Sequence, residues 1–216
     1  MSLKEEIINI LEKNKYAEIT EIAKKERNIF RILISLTYKK EELICWKAIE
    51  ATGIITGNMA RSNPAAVRNL AQRLLWMMRD ESGNNPGSAP EMLGEIIRNS
   101  PDEFSDIVPV ISSFSDEDML RSGVLRALLR ISDKRSDLVS ISDEFIGPHL
   151  KDKDPLIRIY SLLLAGRYGL KRLMPEIASL KDDRNVIKIY NGDDFELFRV
   201  GEVAGRIYEA LGRGEN

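Results

Sequence analysis

Asp154-Pro155-Leu156-Ile157-Arg158 reads as the first turn of a helix. The Asp side chain can accept from the free N–H groups of that turn, and Pro is tolerated there because the donor it lacks would have no partner anyway. An aliphatic residue followed by Arg then sets a cation beside the buried stripe. Two other stretches echo the pattern: Asn63-Pro64-Ala65-Ala66-Val67-Arg68, with one extra residue, and Asp116-Glu117-Asp118-Met119-Leu120-Arg121, which lacks Pro. Three helix starts of one kind point to a repeated helical unit.

The stretches around these starts have the same character. Leu3, Ile7, Ile10 and Leu11 recur at helical spacing, as do Val67, Leu70, Ala71, Leu74 and Met78. So do Leu120, Val124, Ala127, Leu128 and Ile131, and then Leu156, Ile159, Tyr160 and Leu163. Each set is the signature of a helix that buries one face. Short breaks such as Ser100-Pro101 and Lys153-Asp154-Pro155 separate them, and these are too brief to divide domains. The expectation is one all-α domain over residues 1–216, in which short antiparallel helices stack side by side.

Near the C-terminus the period changes. Ile187-Lys188-Ile189-Tyr190, Asn191-Gly192 and the run from Asp193 to Phe198 read as a β-hairpin over 186–198, with Asn-Gly supplying a two-residue type I′ turn. A helix over 199–212 follows, its stripe formed by Val200, Val203, Ala204, Ile207, Tyr208 and Leu211, with Gly212 and Gly214 ending it. Such a segment would cap the last repeat of a stacked array.

Composition narrows the function classes. The 216 residues are 43% hydrophobic and 31% charged, an ordinary balance for a folded chain. Lys+Arg 32 against Asp+Glu 34 leaves a net charge of −2, so no global field draws the protein to nucleic acid or an anionic membrane. The single cysteine, Cys45, fits a reducing compartment. The N-terminal stretch has Lys4, Glu5 and Glu6 and no apolar h-region, and the apolar run from Leu156 to Gly166 is broken by Arg158. The expectation is a soluble, cytoplasmic protein that is not in a membrane. No Gly-rich phosphate loop occurs, and His149 has no second His or nearby Cys for a metal or a triad. We expect no catalytic residue, metal or cofactor.

The Asp-Pro-x-aliphatic-Arg opening at Asp154, with its two looser echoes, resembles the second helix of HEAT repeats of the phycobilin-lyase type. The likeness extends over about three quarters of the chain as weak repeats. It implies a right-handed α-solenoid of about five to six HEAT-like helix pairs, in which Asp and Arg pair between repeats and second helices line the concave face. The stretch from Asp80 to Glu91 is also similar to an Asp-Glu-Ser-Gly plus Ala-Pro-Glu signature of uncharacterised HEAT-like proteins.

Two features are candidates for binding. The segment from Trp76 to Glu91 is longer than other turns and rich in hydrogen-bonding groups: Arg79, Asp80, Glu81, Ser82, Asn84, Asn85, Ser88 and Glu91. Ser88 and Glu91 also have capping-box spacing. The second helices carry arginines, among them Arg68, Arg73, Arg121, Arg126 and Arg158, suited to carboxylate or phosphate. On the other hand, flanking arginines normally pair with neighbouring acids, and Trp46 and Trp76 read as packing residues among apolar neighbours. The expected function is a non-catalytic scaffold that holds another protein through an acidic or phosphate-bearing segment. The resemblance implies two alternatives: a chromophore-lyase-like handler of tetrapyrroles, and a binder of DNA lesions like the HEAT-like alkylpurine DNA glycosylases. The charge balance weighs against nucleic acid.

Overall fold

The computed structural model describes residues 2–26, 28–79 and 87–214, which are mostly helical with a two-stranded antiparallel hairpin near the C-terminus. The chain divides into two compact units, Met1–Leu138 with Gly192–Asp194, and Val139–Asn191 with Phe195–Asn216.

In the first unit α1 (Leu3–Glu12), α2 (Tyr16–Lys25) and α3 (Ile29–Ser35) pack on α4 (Leu43–Ala60). A capping box starts α1: Ser2 Oγ accepts from the Glu5 N–H at 3.3 Å, and Glu5 accepts from the Ser2 N–H at 2.8 Å. Ile7, Leu11, Ile19, Leu33, Ala48 and Ile55 join the four helices in one apolar cluster. The sequence of α4 is apolar or small on nearly every side, so the helix can be enclosed. Its buried hydroxyls satisfy themselves locally, Thr52 donating to Ala48 O at 2.9 Å and Thr56 to Thr52 O at 2.7 Å.

From there α5 (Pro64–Met78) packs on α4 and α6 (Ala89–Asn99), and α7 (Pro101–Phe104) and α8 (Val108–Ser112) lead to α9 (Arg121–Ser132). The helices α4, α6 and α9 pack in series. Glycines permit the close crossings: a Cβ on Gly53 would lie 2.6 Å from Asn99 Nδ2, and one on Gly94 would lie 2.7 Å from Ala127 Cα. The expected stripes on α5 and α9 are buried throughout. Asn63 caps α5 as expected, accepting from the Ala66 N–H at 3.1 Å. Asp116 does not cap α9. Residues 113–120 form turns, and the helix begins only at Arg121, with no side-chain cap at Leu120.

The second unit holds α10 (Asp143–His149), α11 (Pro155–Arg167), α12 (Met174–Ser179), β1 (Val186–Tyr190), β2 (Phe195–Arg199) and α13 (Val200–Arg213). Asp154 caps α11 by accepting from the Leu156 N–H at 2.8 Å. The expected stripe on α11 needs correction. Leu156 and Leu163 are only half-buried, whereas Ile157, Ile159, Leu162 and Leu164 are buried, because α10, α13 and β1 enclose the helix from several sides. The hairpin register runs from Val186↔Arg199 to Tyr190↔Phe195. Its loop is therefore residues 191–194, not a two-residue type I′ turn. Gly192 has φ 113°, but Asn191 is not among the positive-φ residues, and the aromatic pair Tyr190/Phe195 closes the ladder. The last helix, α13, packs on α11 and α12 and ends at Gly214 in the left-handed conformation, φ 74°.

Candidate partner-binding site

No Asp or Glu occurs in α5, whose sequence is PAAVRNLAQRLLWMM. At about 100° per residue, Trp76 lies about 180° from the centre of the Val67/Leu70/Ala71/Leu74/Met78 stripe, and Arg73 and Arg79 lie about 60° to either side of Trp76. The structure agrees: the stripe is buried, Trp76 is 66% exposed, and Arg73 and Arg79 are exposed. Neither arginine has an ion pair among the described residues. The reading of Trp76 as a packing residue is thus overturned, because its apolar neighbours in sequence fall on other faces of the helix. Trp46, by contrast, is buried. The outcome is a large aromatic surface between two guanidinium groups that have no ion pair among the described residues.

At the start of α6 the expected binding groups point inward. Ser88 is buried and donates to Thr37 O at 2.9 Å, and it makes no cap hydrogen bond. Glu91 is 3% exposed and pairs with Lys40 at 2.5 Å. The capping box therefore does not form, because both side chains are drawn into packing against distant parts of the unit. One turn on, Glu95 is also buried and takes Arg130 at 2.5 Å and Arg98 at 3.3 Å. Burial opposes the charge of Arg130, but Glu95 beside it outweighs that and raises its pKa. Arg126 is buried with its guanidinium 4.3 Å from the Trp46 ring centroid. Cys45 sits beside Ser88 at 3.7 Å, and burial above all pushes its thiol up to about 11.

The other arginines are held by their own chain. Arg68 donates to Asp106 at 2.7 and 2.9 Å and to Glu103 O at 2.6 Å. Arg121 donates from Nε to Ser115 O at 2.9 Å and from an η nitrogen to Asp116 O at 2.7 Å. Arg158 repeats that reach over the same sequence distance, to Asp152 O at 2.7 Å and Lys153 O at 3.1 Å, and adds Asp183 at 2.6 and 2.9 Å. In α9 and α11 the arginine of the shared motif thus ties the helix start to the turn before it, whereas Arg68 of α5 ties its helix to the segment after α6. Arg121, Arg126 and Arg158 are better placed to hold the fold than to receive a partner, and α5 and α9 do not present one common row, since α9 packs chiefly on α6. Asp80, Glu81, Ser82, Asn84 and Asn85 lie outside the described residues. Of the expected site residues that are described, Trp76 and Arg79 are the ones exposed together, and Arg73 joins them.

No protein-family model matches the chain. It is similar to an uncharacterized protein of Archaeoglobus fulgidus. The two are 24% identical over 184 residues, covering 82% of this chain and 94% of that protein. No described helix is long and apolar enough to cross a membrane, and the described residues contain no cluster of His, Cys, Asp and Glu able to hold a metal ion. His149 is buried, its ring edge-on to Phe145 at 5.5 Å.

Proposed function

We propose that this protein is a non-catalytic binding module that holds an acidic or phosphate-bearing segment of another protein in the cytoplasm. The recognition surface is the outer face of α5, with Trp76 at its centre and Arg73 and Arg79 beside it. In this reading the helices are HEAT-like pairs, about five to six of them, stacked as a right-handed solenoid; the serial packing of α4, α6 and α9 supports it.

One observation carries the proposal: a tryptophan 66% exposed between two arginines that have no acid to pair with among the described residues. Solvent exposure of so large an apolar side chain is unfavourable, and Trp and Arg are the residues that dominate binding energy at protein interfaces. Arg adds bidentate recognition of carboxylate or phosphate.

The test is a fluorescence titration of the wild type and Trp76→Ala with three probes: a glutamate-rich peptide, a phosphoserine peptide and duplex DNA. The proposal expects a salt-sensitive change in tryptophan emission with one of the peptides, and loss of binding in Trp76→Ala when the same peptide carries a fluorescent label and its anisotropy is read. A response to duplex DNA alone would favour the lesion-binding alternative. Absorbance changes on adding a bilin, with no response to either peptide, would favour the tetrapyrrole alternative.

A further inference from the structure

The second unit contains a groove of about 450 Å³ lined by residues 196–199 of β2 and by Glu202, Gly205, Arg206 and Glu209 of α13. Side chains of a strand alternate between its faces, so a groove lined by four consecutive strand residues runs along the strand's edge. Among the described residues β2 pairs with β1 alone, through the ladder from Val186↔Arg199 to Tyr190↔Phe195. Its other edge therefore offers a row of backbone N–H and C=O groups to the groove. In the middle of this edge stands Leu197, 68% exposed.

A second observation comes from the far wall. Most helical glycines here are explained by packing within the chain: a Cβ on Gly53, Gly94, Gly123, Gly166 or Gly201 would come within 2.3–2.7 Å of another atom. A Cβ on Gly205 would meet nothing within 4 Å. Glycine weakens a helix interior, and here no contact among the described residues requires it. What the missing side chain does is keep the groove open beside β2.

We propose that an extended peptide segment of a partner protein enters this groove and adds as a third strand to the free edge of β2. Four strand residues span about 13 Å, so the edge offers backbone pairing to a segment of about that length. Side chains set the chemistry. Arg199 and Glu202 pair with each other at 3.1 Å, while Glu196, Arg206 and Glu209 have no ion pair among the described residues. Carboxylates thus outnumber cations among the unpaired groups, and the segment that complements them carries Lys or Arg, alternating with an apolar residue that covers Leu197. This surface is independent of the α5 face and calls for a ligand of opposite charge.

The test selects a display library of seven-residue peptides on the wild type, then measures the selected peptides against Gly205→Gln, a neutral substitution that fills the groove. Selection of sequences alternating apolar and basic residues, with at least tenfold weaker binding to Gly205→Gln and undiminished binding to Arg73→Glu, is the expected result. Backbone amide shifts confined to residues 196–199 and the facing side of α13 on adding the peptide to the wild type supply the same answer without a variant. The proposal is overturned if no peptide is selected, if Gly205→Gln binds as well as the wild type, or if the wild type is a dimer that Gly205→Gln dissociates.

Discussion

The helices α5 and α11 begin alike, and the arginines near their starts, Arg68 and Arg158, are both held within the chain, whereas Arg73 and Arg79 at the far end of α5 have no ion pair among the described residues. Each helix is capped by an amide or carboxylate side chain, Asn63 or Asp154, and each opens with Pro. In α11, Arg158 is 8% exposed and bound to Asp183 and two backbone carbonyls. In α5, Arg73 and Arg79 face solvent around an exposed tryptophan. An arginine next to the buried stripe and within reach of the preceding turn becomes a strut. One on the far side of the helix, with no acid on its own helix, faces solvent, and under the proposal it is the one that meets a partner.

This contrast is broken most directly by truncation. Arg158→Ala takes the cation from Asp183, which keeps the N–H groups of Asn185, and the donor from the carbonyls of Asp152 and Lys153, and the loss of stability expected is about 3–5 kcal/mol, read from urea denaturation. Arg73→Ala and Arg79→Ala should each stay within about 0.5 kcal/mol of the wild type. Equal effects at the two sites would erase the distinction.

Next in size is the close crossing of α6 and α9. Gly94→Val brings a branched side chain where even a Cβ would sit 2.7 Å from Ala127, and a loss of about 1–3 kcal/mol is expected. Smaller again is the acid limb of stability. Partial burial of Asp183 works against its charge, but the N–H groups of Asn185 and the Arg158 guanidinium prevail and hold its pKa below the usual carboxylate value. A carboxylate with a depressed folded pKa contributes stability that is full above the unfolded value, about 3.9, and disappears as pH falls through the folded one. Denaturation midpoints at pH 7, 4 and 3 should therefore fall more steeply below about pH 4 in the wild type than in Asp183→Asn.

Local chemistry was legible in the sequence where it acts alone. The caps at Asn63 and Asp154 and the buried stripes of α5 and α9 needed only neighbours a few residues away. What escaped depends on distant partners. Ser88 and Glu91 have the spacing of a capping box, yet Thr37 and Lys40, some fifty residues earlier, take them instead. Asp116 looked like a cap until Arg121 reached back to its carbonyl and kept that stretch as a turn. The stripe on α11 blurred because three other elements enclose the helix. On the candidate surface, Trp76 was placed among the binding residues for its position before a polar stretch, while its apolar neighbours argued for packing. Only its angle opposite the stripe, about 180°, could have decided the matter beforehand.

The most direct test of the α5 face is the affinity of a labelled phosphoserine peptide for the wild type and for Arg73→Glu/Arg79→Glu, with thermal melting of both proteins as the control. If the face receives an anionic segment, the double variant melts with the wild type and binds at least tenfold more weakly, and the wild-type affinity falls as salt is raised. Equal affinity for the two proteins, or no binding of either this peptide or a labelled glutamate-rich one to the wild type at low salt, would contradict it.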